Sequence, residues 1–363
     1  MMLRWTGLLL AALGLFLPLA GGARAQAAPP SAPASLEARW GPAALKQRQT
    51  HQAVRVMTLG DGAQRVYVFM PAQPALKQGK APVVLFHHGW QGMNPLNFGG
   101  LIDHLARSGQ VVIYPVYQES ERTSPQVVTA NAAAADRRAL AALGKRYRLT
   151  ADPRRVLYFG YSMGAAISLN LALDPKKHHL PAPRALVLAA PGDAQHVARG
   201  EEGRSIIGPV EKLPRTLPVA IVTGAADTTI GLPTGRLLAR RLCKIRADRR
   251  VLMVLPSGEH DGQKVNAGHG SPGAPDHRYD FALDRRDIPD LIAGRAGFEA
   301  SASLNQLDFY GYWKVLNAMI DSLPAGKLPA SVFGNGTPQQ TYLGVWLDGT
   351  PYPPARIERH CFD

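Results

Sequence analysis

Residues 160–164, Gly160-Tyr161-Ser162-Met163-Gly164, constrain this chain more than any other stretch. Apolar residues lead in from Val156 to Phe159, which predicts a short buried strand. Small and apolar residues lead out (Ala165, Ala166, Ile167, Leu169, Leu171), which predicts a helix packed at its start. A strand that turns sharply into a helix around a serine exposes the hydroxyl. Glycines on either side leave room where a side chain would collide with backbone. The helix N-terminus then turns free N–H groups and a partial positive charge toward a reacting carbonyl oxygen. A Gly-Ser-Gly turn of no consequence also fits five letters, but strand before and helix after favour a nucleophile.

The N-terminus has the three-part layout of a secretory signal peptide. Arg4 stands near the start, an apolar run follows from Leu8 to Ala20, and Ala23-Arg24-Ala25 offers a cleavage site. The run is short for a membrane span and is interrupted by Pro18. Residues 1–25 are therefore set aside, and 26–45, which begins rich in Ala, Pro and Ser, is expected to be a flexible leader. The remainder, 46–325, is long enough for one catalytic domain, with 326–363 as a tail docked on it through Tyr342, Leu343, Val345 and Trp346. Thr337-Pro338-Gln339-Gln340 looks like a capping box in that tail. Of the two cysteines, Cys243 and Cys361, an oxidising compartment would favour a bridge, while two free thiols remain the alternative.

A formal net charge of +14 invites a polyanionic partner. Yet the Lys and Arg residues are scattered, and no zinc-finger, helix-turn-helix or RNA-recognition pattern accompanies them. No nucleic-acid partner is expected.

Short apolar runs alternate with helical patterns, which predicts an α/β fold with a mainly parallel central sheet and helices on both faces. Strands are expected at Arg65–Met70, Val83–Phe86, Val111–Val116, the stretch before Ser162, Ala185–Ala190, Val219–Thr223 and Val251–Leu255. Helices are expected over 96–105, 127–147, after Ser162, up to about 242, and from about 304, where Leu307, Tyr310, Trp313, Leu316 and Ile320 share one face. The stretch 261–300 is expected to be loop.

These motifs resemble the α/β-hydrolase superfamily over about 80–323, and within it the exported serine esterases of the dienelactone-hydrolase and polyester-hydrolase-like branch. The resemblance implies nucleophile, acid and base in the order Ser162, Asp227, His260, each after a successive strand. The chemistry asks for the same set. A serine hydroxyl is a poor nucleophile until an imidazole takes its proton, and a carboxylate must fix that imidazole's tautomer. Asp227 could instead cap the helix after it, and Asp193, after the preceding strand, is the alternative acid. Among the histidines, His260 follows the last strand by five residues, where the superfamily puts its base. His269, in Ala267-Gly268-His269-Gly270, is the alternative, and His277 has a charged, solvent-like setting.

His88-Gly89 resembles the superfamily's oxyanion segment, which makes the backbone N–H groups of Trp90 and Met163 the expected oxyanion hole. His87 and His88 point opposite ways along a strand, so they do not chelate. One of them is expected buried and hydrogen-bonded, stiffening the loop. Trp90 is also a candidate wall for an acyl group, or simply a packed ring. No nucleotide, metalloprotease or other cofactor signature stands out, so neither metal nor cofactor is expected. The expected activity is hydrolysis of a small or polymeric carboxylic ester. The alternatives are a peptidase or amidase of the same fold and a non-catalytic binding protein.

Overall fold

The computed structural model describes residues 34–73, 75–281 and 302–361. The expected signal peptide and residues 282–300 of the expected loop lie outside them. The main sheet takes β1 (Ala53–Leu59), β2 (Val66–Gln73), β3 (Gly79–His87), β4 (Val111–Pro115), β5 (Leu149–Tyr161), β6 (Ala185–Ala189), β7 (Val219–Gly224) and β8 (Arg250–Leu255). A separate hairpin, β9 (Gly258–His260) and β10 (Gln263–Val265), follows, and β11 (Arg356–Glu358) joins the main sheet at its far edge. The order is β1-β2-β4-β3-β5-β6-β7-β8-β11. Neighbours from β4 to β8 run parallel, while β1, β2 and β11 pair antiparallel at the two edges.

Parallel strands covered on both faces need apolar side chains throughout, which is why Val156 to Tyr161 is buried without alternation. Alternate residues feed two cores. Val84, Phe86, Leu157 and Phe159 face one, together with Leu101 and Leu105 of α3 (Gly99–Arg107) and Leu316 of α7 (Lys314–Ser322). Val83, Leu85, Val156 and Tyr158 face the other, under α4 (Val128–Tyr147), α5 (Met163–Leu173) and α6 (Gly231–Arg241). Helix α5 is apolar nearly all round, as a helix must be when it is enclosed on every side.

Three expectations change. Residues 34–47, expected to belong mostly to a flexible leader, form α1 (Ala34–Trp40) and α2 (Pro42–Gln47), with Leu36, Trp40 and Leu45 in the core. The apolar stripe after Leu304 does not start as an α-helix. Its first part, Leu307–Trp313, is a π-helix that continues into α7. Thr337 makes no side-chain cap, and Gln340 instead accepts from Gly336 N–H at 2.6 Å.

The tail lies on the body. Leu343, Trp346 and Tyr352 join the first core, and Lys314, fully buried, donates from Nζ to the carbonyls of Gln340 (2.9 Å) and Tyr342 (2.6 Å). Cys243 and Cys361 form a disulfide, with Cα atoms 5.6 Å apart. Among the described residues no helix is long and apolar enough to cross a membrane.

Candidate active site

Ser162 stands between β5 and α5 with φ 51° and ψ −122°, a backbone conformation that L-residues avoid. The glycines around it have specific tasks. A Cβ at Gly160 would lie 2.4 Å from the Gly164 carbonyl oxygen, and one at Gly164 would lie 2.0 Å from that of His87. A Cβ at Gly192, in the loop after β6, would come within 2.9 Å of Ser162 Oγ itself. The tight turn therefore needs Gly160 and Gly164, and Gly192 keeps the space beside the hydroxyl open. Backbone bonds from Ser162 N–H to Ala189 (3.1 Å) and from Gly192 N–H to Ser162 (2.9 Å) fix the serine between two loops.

The structure brings together Ser162, His269 and Asp227, and not His260. Ser162 Oγ–H donates to His269 Nε2 at 2.9 Å, and His269 Nδ1–H donates to Asp227 Oδ2 at 2.7 Å. Asp227 also stands where a helix cap would, because its Oδ1 accepts from Ile230 N–H (3.3 Å) just before α6. The preference for His260 is corrected. After β8 the chain spends residues 258–265 on the β9–β10 hairpin, which carries His260 away from the serine. There His260 Nε2 bonds Asp348 Oδ2 at 2.8 Å, beside Trp346. Asp261 and Gly262 form the two-residue turn, with φ 46° and 74°. An Asp-Gly pair between short strands is a hairpin signal, and it is the sequence clue that His260 lies on a hairpin rather than beside Ser162.

Asp193 is not beside the histidine. Its carboxylate accepts from the N–H groups of Ala194 (2.7 Å) and Ile206 (2.9 Å) and from the Ser205 hydroxyl, so it folds the loop after β6. His277 is exposed in a short 3₁₀ turn, as expected.

The loop carrying His269 is clamped by residues that the sequence did not single out. Tyr161 O–H donates to the His269 carbonyl at 3.1 Å, its ring 5.3 Å from the imidazole. Ser271 and Tyr312, the latter on the π-helix, share a buried hydroxyl–hydroxyl bond of 2.8 Å. Ala226 N–H bonds the Ala267 carbonyl (3.1 Å), and Gly224 lacks the Cβ that would lie 1.8 Å from that oxygen. Burial holds the phenols of Tyr161 and Tyr312 above their ordinary range, so both stay protonated donors.

Across the serine lies the loop after β3. A Cβ at Gly89 would sit 3.1 Å from Ser162 Cβ, so Trp90 follows at a point where the chain passes close to Ser162. This loop is tied down on β4 and the segment after it. Tyr117 O–H donates to the His88 carbonyl (2.7 Å), Tyr114 O–H to that of Gly92 (2.5 Å), and Gln91 N–H to Gln118 Oε1 (2.8 Å). The His88 ring stacks on Tyr114 and Tyr117 and contacts the Val116 carbonyl. Burial pushes it down to about 4, so it is neutral at ordinary pH. Both adjacent histidines are fully buried. Among the described residues no cluster of His, Cys, Asp and Glu is arranged to hold a metal ion.

No family model and no curated protein matches the chain. Solved structures with a similar fold include an esterase from Rhizomucor miehei (15% identity, 77% of this chain and 85% of that one, TM-score 0.47). Carboxyl esterase 2 from Tuber melanosporum is another (20%, 63% and 88%, 0.42). A third is the thermophilic esterase Est2 from Thermogutta terrifontis (18%, 68% and 95%, 0.43). Likeness at this level says nothing of substrate. The chain's own sheet order, with Ser162 on the turn between β5 and α5, gives it the α/β-hydrolase fold.

Proposed function

We propose that this chain is an exported serine hydrolase that cleaves carboxylic esters through an acyl-enzyme intermediate. The observation that carries the reading is the unbroken hydrogen-bond chain from Ser162 through His269 to Asp227. His269 Nε2 takes the Ser162 proton as Oγ attacks the ester carbonyl, and Asp227 holds the imidazole in the tautomer that leaves Nε2 free to accept. The developing oxyanion meets the N–H groups of Trp90 and Met163, one on the loop after β3 and one at the first turn of α5. His269 then returns the proton to the departing alcohol, and water repeats the sequence to release the acid.

Export is supported by the signal-like residues 1–25 and by the Cys243–Cys361 bridge, which an oxidising compartment favours. A Ser–His–Asp triad serves ester and amide cleavage alike, so the choice between them is a matter for assay. Nitrophenyl esters from acetate to long acyl chains, an aromatic polyester and matched anilides, assayed side by side, test the reading. Ester turnover with the anilides at least a hundredfold slower is expected. Faster anilide cleavage would make the chain an amidase, and no turnover of any would leave a binding protein.

A further inference from the structure

A second Ser–His–Asp set lies beneath the first, wholly out of reach of any substrate. Ser168 Oγ and His87 Nδ1 are 2.7 Å apart, and His87 Nε2 is 3.1 Å from Asp136 Oδ2. All three side chains are fully buried. Each comes from a different element: Ser168 from α5, His87 from the end of β3, Asp136 from α4. The edge of the Tyr158 ring closes the imidazole from the side.

This set is expensive to keep. Asp136 Oδ1 has no hydrogen-bond partner among the described residues, and burial raises its carboxyl above the ordinary range. Well-packed apolar residues of the same volume would usually be as stable or more so. A mid-helix serine would ordinarily bond a carbonyl one turn back on its own helix. Ser168 reaches across to β3 instead.

The elements joined are the two that carry the proposed oxyanion donors. Trp90 follows His87 by three residues, and Met163 opens the helix that holds Ser168. Where β3 and α5 cross, Gly164 lies directly against the carbonyls of His87 and His88, so a small slip there moves both donors relative to each other. The Ser168–His87 bond is the side-chain tie across that crossing, and Asp136 sets the ring's orientation and tautomer.

We infer that Ser168, His87 and Asp136 are positioning residues that fix the separation of the Trp90 and Met163 N–H groups, and hence the oxyanion hole. The inference rests on the serine-hydrolase reading above. Ser168 O–H donates to His87 Nδ1, and His87 Nε2–H donates to Asp136. Loss of either bond frees β3 and α5 to shift by a fraction of an ångström, enough to weaken transition-state binding while the triad side chains keep their own hydrogen bonds.

The test compares Ser168→Ala, the isosteric Asp136→Asn and Ser168→Thr, which keeps a hydroxyl. Active sites are counted by a fluorophosphonate burst, so kcat is expressed per labelled site whatever fraction folds. Ser168→Ala and Asp136→Asn should lower that kcat by about tenfold to a hundredfold, with KM within about twofold. Affinity for a trifluoromethyl ketone, which forms an oxyanion in the hole, should fall by the same factor, and Ser168→Thr should restore most of both. An unchanged kcat per labelled site, with fewer sites, would reduce the set to a brace for stability and overturn the inference. Wild-type protein that never labels would instead sink the hydrolase reading, and the inference with it.

Discussion

Ser162 is held in a conformation that costs a non-glycine residue about 1–3 kcal/mol, and the surrounding bonds from Ala189 and Gly192 enforce it. The strain faces the hydroxyl toward His269 rather than into the sheet. The two histidines now have distinct expected phenotypes. His269→Ala should lower kcat on nitrophenyl acetate by about 10⁴-fold, because triad members act as a unit. His260→Ala loses the contacts to Asp348 and to the Trp346 ring, both away from Ser162, and should stay within a few-fold of wild type. Steady-state kinetics on both variants checks this, and the opposite pattern would return the base to His260. Ser162 and Asp227 were legible from the sequence because each sits right after a strand whose apolar run is unmistakable. His269 was only an alternative, since spacing from the last strand ignores the hairpin that intervenes.

At the scale of elements, the parallel strands and the helices beside them were legible for the same reason: their burial demands continuous apolar runs. Less could be read at the margins. Strand β1 pairs only along one edge and fully buries only Met57, and β11 is three residues long, so neither carries a strong pattern. The helix α1 is amphipathic over seven residues behind an Ala/Pro-rich segment, too short to stand out. The docking of the tail was legible from its aromatic residues, but its anchor was not. Lys314 sits in the apolar stripe where a lysine suggests solvent. Burial pushes it down to about 7, and a neutral amine has an N–H for each of its two carbonyl partners. Because the folded value lies below the unfolded one, the group's contribution is complete above the unfolded value and is lost as pH falls through about 7. The melting temperature of wild type minus that of Lys314→Met should therefore shrink as pH is lowered from 9 to 6. A difference that does not change with pH would contradict a neutral amine in the core.

Over the whole molecule, one sheet with two cores carries the site at the C-terminal ends of its parallel strands. The tail closes the far edge through β11, Lys314 and the disulfide. The bridge spans a sequence separation of 118 residues, which in the chain-entropy model is worth on the order of 5 kcal/mol. Cys243→Ser with Cys361→Ser should lower the melting temperature by several degrees and make the tail sensitive to protease. Activity per folded molecule should change little, because neither cysteine is near Ser162. Unchanged melting and protease resistance would mean that the packing of Leu343, Trp346 and Tyr352 holds the tail unaided. The central claim, that Ser162, His269 and Asp227 work together as a nucleophilic triad, is tested most directly by mass spectrometry after exposure to a fluorophosphonate. The account predicts one adduct, on the peptide containing Ser162, and none on the same timescale in His269→Ala. No adduct in the wild-type protein, or one on a different residue, would contradict it.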